Sequence, residues 1–279
     1  MRVSLVCVTG STELNSRLRA ELLWRMVNSA HLNPGHPFEL ILVDNSQGGA
    51  HRKAIRDIFD SYRSVTHIVQ NRINEFHGGG VRQGLQLADG DMLVQITDDL
   101  ELKPGWLSAL IHPLLIYPEE KFVGGLVKGH NVRAPVIRRF DLEGIKYVVR
   151  PKCAAYCWAY SRKTYKEMGD WRRAHFADTR FSKRLQRAGY VFTLPEERYA
   201  DETNLNYLRP WDYKNERGIH AQQLKHQHLD HVWPTGVCAS LLHPPVVPTT
   251  EHPLKNPEGI GPGAYPEDWL AEQEIAGDS

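Results

Sequence analysis

A chain of 279 residues with 41% apolar and 24% charged side chains has the composition of a folded globular protein able to bury a sizeable core. Its formal net charge of +1 excludes a globally basic or acidic surface as a reason to bind nucleic acid or membrane. No apolar run approaches the ~20 residues of a membrane span. The β-rich start, residues 1–9, reads as a first strand and not as a signal peptide, so a cytoplasmic protein is expected.

In chain order, a strand over 2–9 leads to a helix over 13–28. A strand over 38–43 ends at Asp44-Asn45-Ser46 and precedes a helix over 50–59 and a short strand over 65–69. A helix is expected within 74–88, which carries Gly78-Gly79-Gly80, and a strand over 92–96 ends at Thr97-Asp98-Asp99. The apolar stretch 106–117 contains His112 and Pro113 and reads as a core helix. Strands alternating with helices predict a mostly parallel sheet flanked by helices.

The second half is less regular. A strand over 121–127 precedes a basic segment, 128–152, that suits a β-hairpin or a loop. A strand over 153–161 and a short helix over 162–168, stopped by Gly169, follow. A helix over 179–188 has Phe181 and Leu185 four apart and ends at Gly189, as a C-cap would, before a strand over 191–195. The last 37 residues, with seven prolines and seven acidic residues against one lysine, read as a tail whose charge opposes that of 128–152. The cysteines at 7, 153, 157 and 238 lack metal-pair spacing and read as structural thiols.

Adjacent carboxylates at Asp98 and Asp99 end a buried strand, at the rim where open α/β sheets bind ligands. Hard oxygens there suit Mg²⁺ or Mn²⁺ carrying a diphosphate, although a turn or N-cap also favours Asp. Asp44 could accept hydrogen bonds from a base or ribose, or form an Asx-turn. The glycine run permits close approach of a ligand or a neighbouring helix, or makes a flexible loop. Arg82 could meet a diphosphate or a surface acid. Asp178, just ahead of the helix over 179–188, suits a general base or an N-cap. Trp158, Tyr160 and Trp171 could stack on a sugar or pack in the core.

Four landmarks stand in order: Leu42-Val43-Asp44-Asn45, then Asn74-Glu75-Phe76-His77-Gly78-Gly79-Gly80, then Thr97-Asp98-Asp99 with Pro104-Gly105-Trp106-Leu107, then Ala177-Asp178 before Arg184-Leu185-Gln186-Arg187-Ala188-Gly189-Tyr190. Together they resemble the inverting GT-A glycosyltransferases of family 2 over roughly residues 1–200. The resemblance implies a GT-A nucleotide-diphospho-sugar transferase fold, with a Rossmann-like, mostly parallel central sheet flanked by helices. It implies one domain over 1–242, with a nucleotide-binding half about 1–105, an acceptor-binding half about 106–242, and a tail over 243–279. It implies a nucleotide-diphosphate sugar, UDP-linked by preference, bound by Thr9, Asp44, Asn74, Gly79, Arg82 and Asp98.

Mn²⁺ or Mg²⁺ would meet Asp99, and Asp178 would deprotonate the hydroxyl of an acceptor of unknown class. A third metal ligand falls at Asp201, beside Glu202, or among the histidines at 220, 226, 228 and 231. The chain departs from the family pattern at Phe76 for Gly, Arg82 for a small polar residue, Thr97 for Asp and Ala177 for Glu. Retaining transfer, and a nucleotide-sugar-binding relative without activity, remain alternatives. Val8-Thr9-Gly10-Ser11 lacks the Gly-x-Gly-x-Arg loop of a sugar-phosphate nucleotidyltransferase. A homo-oligomer is left open.

Overall fold

The computed structural model describes residues 1–11, 16–46, 49–127, 134–173 and 177–202. The acidic tail, Cys238 and the histidines at 220, 226, 228 and 231 lie outside the described residues.

Strands β1 (Val3–Thr9), β2 (Glu39–Asp44), β3 (Val65–Gln70) and β4 (Met92–Thr97) pair in parallel in the order β3-β2-β1-β4. β1 and β2 are buried along their whole length, the condition of central strands covered on both faces. Their side chains alternate between two cores. Leu5, Cys7, Leu42, Val94 and Ile96 face one, and Val6, Val8, Ile41, Val43 and Leu93 the other. Helices α1 (Ser16–His31), α2 (Gly49–Ser61) and α4 (Trp106–Ile116) complete the first core. Helices α3 (Phe76–Leu87), α5 (Arg162–Met168) and α6 (Ala177–Arg187) complete the second.

α1 runs past the expected end at residue 28, its last turn held both by a bond within the helix and by a contact outside it. The His31 ring bonds the Val27 carbonyl at 2.7 Å and stacks on Tyr62 at 4.2 Å. α4 is the apolar core helix expected, with Pro113 inside it and Gly105 at its N-cap in the left-handed region, at φ +80°.

Sequence reasoning does not anticipate β5 (Leu100–Leu102), which leaves the Asp98-Asp99 turn with both leucines buried and Glu101 exposed. The sheet continues through β6 (Phe122–Gly125), β7 (Arg138–Leu142), β8 (Ile145–Arg150), β9 (Cys157–Ser161) and β10 (Val191–Pro195), in the order β4-β9-β6-β10-β8-β7. The basic segment resolves into the antiparallel β7–β8 hairpin. β11 (Ala200–Glu202) pairs antiparallel with β5, with Asp201 opposite Glu101.

Trp158, Tyr160 and Trp171 are all buried, and Trp171 stacks on Phe181 at 4.5 Å while its indole N–H donates to Tyr160 at 3.1 Å. They are core and offer no sugar-stacking platform. Cys7, Cys153 and Cys157 are buried thiols, and burial pushes each above the usual thiol range.

The glycine run proves to be a packing device. A Cβ on Gly80 would lie 2.7 Å from Val8 Cγ1, and one on Gly84 2.3 Å from Val6 Cγ1, so α3 lies directly on β1. A Cβ on Gly78 would lie 2.1 Å from the Arg172 carbonyl oxygen and 2.2 Å from Ala177 Cβ. The absence of a side chain at Gly78 therefore sets how closely the start of α3 approaches the start of α6.

Candidate active site

The strand order reverses at β1, with β2 and β3 on one side and β4 on the other. Such a switch point opens a crevice at the carboxyl ends of the strands. Register places Thr9 opposite Asp44 and Val8 opposite Thr97, so Thr9, Asp44 and the Asp98-Asp99 turn share one rim.

Asp98 is almost fully buried there. Thr9 Oγ1 donates to its Oδ2 at 2.5 Å, and Arg19 Nη2 donates to its Oδ1 at 2.6 Å. Burial raises the Asp98 pKa, Arg19 pulls it down, and Asp99 adds to the rise. The Thr9 hydroxyl has one proton, and it goes to Asp98. His51 Nε2, 2.8 Å from the same oxygen, must then be the donor, which makes this ring a neutral Nε2–H tautomer. Burial depresses His51 from 6.5 to about 3.

The unfolded chain therefore takes up a proton near pH 6.5 that the folded chain refuses until about 3. The stability His51 contributes is present above that window and is lost as pH falls through it. His51→Gln, which keeps an N–H for Thr9 but cannot titrate, is expected to lose less stability between pH 7 and 5 than the wild type. Urea unfolding at the two pH values measures the difference. Equal losses would remove His51 from this role.

Asp44 is buried at the end of β2. Its Oδ1 accepts the Ser46 N–H at 2.7 Å and the Ser46 hydroxyl, so the Asx-turn forms. Its Oδ2 lacks a hydrogen-bond donor among the described residues and stands 3.7 Å from Arg52 Nε. Burial raises the Asp44 pKa, opposed by Ser46 and Arg52.

Asn45 ties this strand end to the start of α3. Its Oδ1 accepts the Glu75 N–H at 3.3 Å, and its Nδ2 donates to the Phe76 carbonyl at 3.3 Å. Asn74 Oδ1 accepts the Phe76 N–H at 2.9 Å. Between them Phe76 is held at φ +56°. A left-handed backbone costs a non-glycine residue about 1–2 kcal/mol, so Phe76 carries a strain that a glycine there would not.

Gly79 faces the Glu75–Arg173 ion pair, closed at 2.7 Å; a Cβ there would lie 3.0 Å from Glu75 Cβ. Arg82 lies on the face of α3 turned from the sheet. Gly80 and Gly84 lie against the sheet, and helical spacing turns position 82 to the far side, where its charge acts on Tyr165.

Across the crevice, α6 opens with Ala177 and Asp178. The N-cap expected of Asp178 does not form: the residue lies inside the first turn, with backbone N–H donors from Asp178 and Thr179 at its carboxylate. A carboxylate there is favoured by the helix dipole. Burial raises its pKa, and His77 is the strongest opposing influence.

His77 is the residue that sequence reasoning missed. Its Nε2 lies 3.1 Å from Gln95 Oε1 in the centre of β4, and its ring meets Trp171 edge-on at 5.7 Å. Burial lowers its pKa, while the charges of Asp178 and then Asp99 raise it. One imidazole thus sits within the fields of both carboxylates. A histidine beside a glycine run gives no periodic signal of such a place.

Asp201, on β11, pairs with Arg198 at 2.6 Å and Lys103 at 3.5 Å and is 41% exposed. Among the described residues no group of three or more His, Cys, Asp or Glu side chains forms a metal cluster. The donor set still fits a divalent cation in one mode. Mg²⁺-type ions commonly use one or two carboxylates and take their other ligands from substrate phosphates and water. With Asp98 committed to Arg19 and Thr9, Asp99 is the carboxylate of the turn that fits this mode.

Several solved structures share this fold. The mannosyltransferase PcManGT from Pyrobaculum calidifontis, in complex with GDP-Man and Mn²⁺, matches with a TM-score of 0.58 and 13% identity, over 86% of this chain and 68% of its own. GalNAc-T7 with UDP, GalNAc and Mn²⁺ matches with a TM-score of 0.53 and 15% identity, over 70% of this chain and 42% of its own. S. aureus TarS 1–349 in complex with UDP matches at 0.52 and 13%, over 72% and 60%. This chain therefore spans less than half the length of the GalNAc-T7 chain. None of the curated proteins matches the sequence.

The fold is that of the GT-A glycosyltransferases, a mixed sheet whose parallel half ends at a rim carrying Asp44 and the Asp98-Asp99 turn. The pattern of "Glycosyl transferase family 2" matches residues 15–169, more than half of the 279. The chain belongs to glycosyltransferase family 2. Among the described residues no helix is long and apolar enough to cross a membrane.

Proposed function

We propose that this enzyme moves a sugar from a nucleotide-diphosphate sugar, UDP-linked by preference, to an acceptor hydroxyl with inversion at the anomeric carbon. The observation that supports this reading is that carboxylates from two strand ends share one rim, while a third, at the start of α6, acts on the same histidine as Asp99. Asp44 and the Asp98-Asp99 turn share the strand-end rim, and His77 feels both Asp99 and Asp178.

In this reading the Asp44 Oδ2, which lacks a donor among the described residues, accepts an N–H or hydroxyl of the nucleoside. Thr9 and Asp98 form the pocket floor, and Asn74 and Gly79 set the close approach of α3. Asp99 holds a divalent cation together with the diphosphate. A bound Mn²⁺ or Mg²⁺ there supplies Lewis-acid stabilisation of charge on the leaving diphosphate. Drawing Asp201 in as a further ligand would require breaking its pairs with Arg198 and Lys103, so the reading relies on Asp99.

Asp178 takes the acceptor's proton as its oxygen bonds to the anomeric carbon and the bond to diphosphate breaks. Burial makes its carboxylate a stronger base than a surface aspartate. Transfer by one base, with no covalent intermediate, inverts the anomeric centre.

Thermal unfolding with UDP or GDP, with and without Mn²⁺, tests the donor site, because a ligand bound to the native state raises the melting temperature. UDP with Mn²⁺ is expected to stabilise more than either alone and more than GDP with Mn²⁺. Asp99→Ala is expected to lose the metal-dependent part. Equal stabilisation of the variant would refute the metal assignment, and equal stabilisation by GDP the base preference. The anomer of the transferred sugar, read by NMR, decides inversion.

A further inference from the structure

The net charge of +1 conceals an uneven distribution. Residues 162–187, which hold α5 and α6, carry nine lysines and arginines against three acidic residues. Two of those acids, Glu167 and Asp170, accept the hydroxyls of Tyr190 and Tyr165. Both helices cover the same face of the sheet, so their outer sides look the same way. On α6, Phe181 and Leu185 are buried, and helical spacing turns Arg180, Lys183 and Arg187 outward. On α5, Thr164 is buried while Lys163 and Lys166 are exposed.

The fold also fixes positive charge here with bonds that do not cancel it. Arg184 donates to the backbone carbonyls of Met168 and Asp170 at 2.6 and 2.7 Å, with its guanidinium 5.0 Å from the Phe181 ring. Arg162 donates to the carbonyls of Gly90 and Ala88 at 2.8 and 2.6 Å. Lys121 Nζ donates to the Ala188 carbonyl at 2.7 Å and stands 5.5 Å from the centre of the Tyr190 ring. Backbone carbonyls are neutral, so three cations pin the ends of α5 and α6 and keep their charge. Lys163, Lys166 and Arg187 are exposed and make no ion pair or side-chain hydrogen bond among the described residues.

The chemistry of this face narrows its partner. Among the described residues of 162–190 no large apolar side chain is exposed, which leaves nothing to insert into a hydrocarbon layer. Trp171, Phe181 and Tyr190 are buried there, so they give no platform on which bases could stack. What remains is an outward array of cations on two helices. It suits many anions presented side by side. Headgroups that diffuse within a leaflet can adjust to fixed cations, whereas a polymer must match their spacing.

We infer that the outer face of α5 and α6 is an electrostatic docking surface for an anionic membrane, meeting phospholipid headgroups with Lys163, Lys166, Arg180, Lys183 and Arg187 and inserting nothing. The inference stands apart from the donor and base assignments above.

Co-sedimentation of the full chain with phosphatidylcholine vesicles, with and without roughly one-third phosphatidylglycerol, tests it. Binding is expected to the anionic vesicles only, and should weaken as NaCl rises from about 0.1 to about 0.5 M. Lys163→Gln/Lys166→Gln/Arg187→Gln should weaken it by roughly a hundredfold, about fivefold for each charge removed near an anionic surface. The melting temperature of this variant should stay that of the wild type, because the three side chains are exposed. Arg138→Gln/Arg139→Gln/Lys146→Gln removes the same charge from the β7–β8 hairpin and should leave binding near wild type.

No binding at low salt, equal binding to neutral vesicles, or equal losses in the two triple variants would overturn the inference. Inorganic polyphosphate and a single-stranded oligonucleotide serve as competitors. Tighter binding of either than of the anionic vesicles, lost with Lys163, Lys166 and Arg187, would assign the face to a polymer instead. Vesicle binding seen only after the seven acidic residues of 243–279 are replaced by amides would assign it to that segment.

Discussion

Asp178→Asn is expected to fold, to bind UDP and Mn²⁺ as the wild type does, and to lose transfer by roughly 10²- to 10⁴-fold, the usual contribution of a positioned general base. The substitution is nearly isosteric. An asparagine carbonyl can still accept the backbone N–H groups of the first turn of α6, so the helix start and the Gly78–Ala177 contact should survive. Only basicity is removed. The loss should fall on kcat, because the donor is held by groups on the strand-end rim and not by α6. Turnover within a few-fold of wild type would exclude Asp178 as the base. Lost nucleotide binding would instead show that it holds the donor site together.

Asp98→Ala is expected to be a stability variant. Its carboxylate is 3% exposed and faces the Arg19 guanidinium, 17% exposed, at 2.6 Å. Removing one partner of a buried ion pair costs about 3–5 kcal/mol, because the remaining charge loses its compensation in a poorly solvated place. The Thr9 hydroxyl loses its acceptor in the same substitution, and with it the reason His51 is held as a donor. For a domain of this size the melting temperature should fall by about 10 °C. Asp98→Asn, which keeps an acceptor for Thr9, should fall less. Wild-type melting in Asp98→Ala would mean that the pair with Arg19 is not structural, and would leave Asp98 its expected part in binding the nucleotide sugar. Read beside Asp99→Ala, the two variants separate neighbouring carboxylates: one should lose stability, the other the response to Mn²⁺.

Much of the fold is legible in the chain because parallel sheets announce themselves. β1, β2 and β4 are mostly apolar runs, with Ser4, Glu39 and Gln95 the polar positions within them, and each ends in a polar residue where the strand leaves the core. α6 is equally plain, with Phe181 and Leu185 on one face, Arg184 and Arg187 in its last turn, and Gly189 beyond. β5 and β11 are not legible. Three residues are too few for periodicity, and their pairing joins positions about a hundred apart.

The site divides along the same line. Asp44, Asp99 and Asp178 can be picked out because carboxylates at strand and helix ends follow a positional rule that local sequence carries. The chemical types on the rim, and their order along the chain, were therefore decided by sequence alone. Which atoms are available was not. Arg19 and Thr9 occupy both oxygens of Asp98, and Arg198 and Lys103 pair with Asp201. Only tertiary structure could decide most of these, since hydrogen bonds and ion pairs are short-ranged and every partner but Arg198 lies tens of residues away. His77 is the clearest case, for both Asp99 and Asp178 act on it where a glycine small enough to let two helices touch brings α3 against α6.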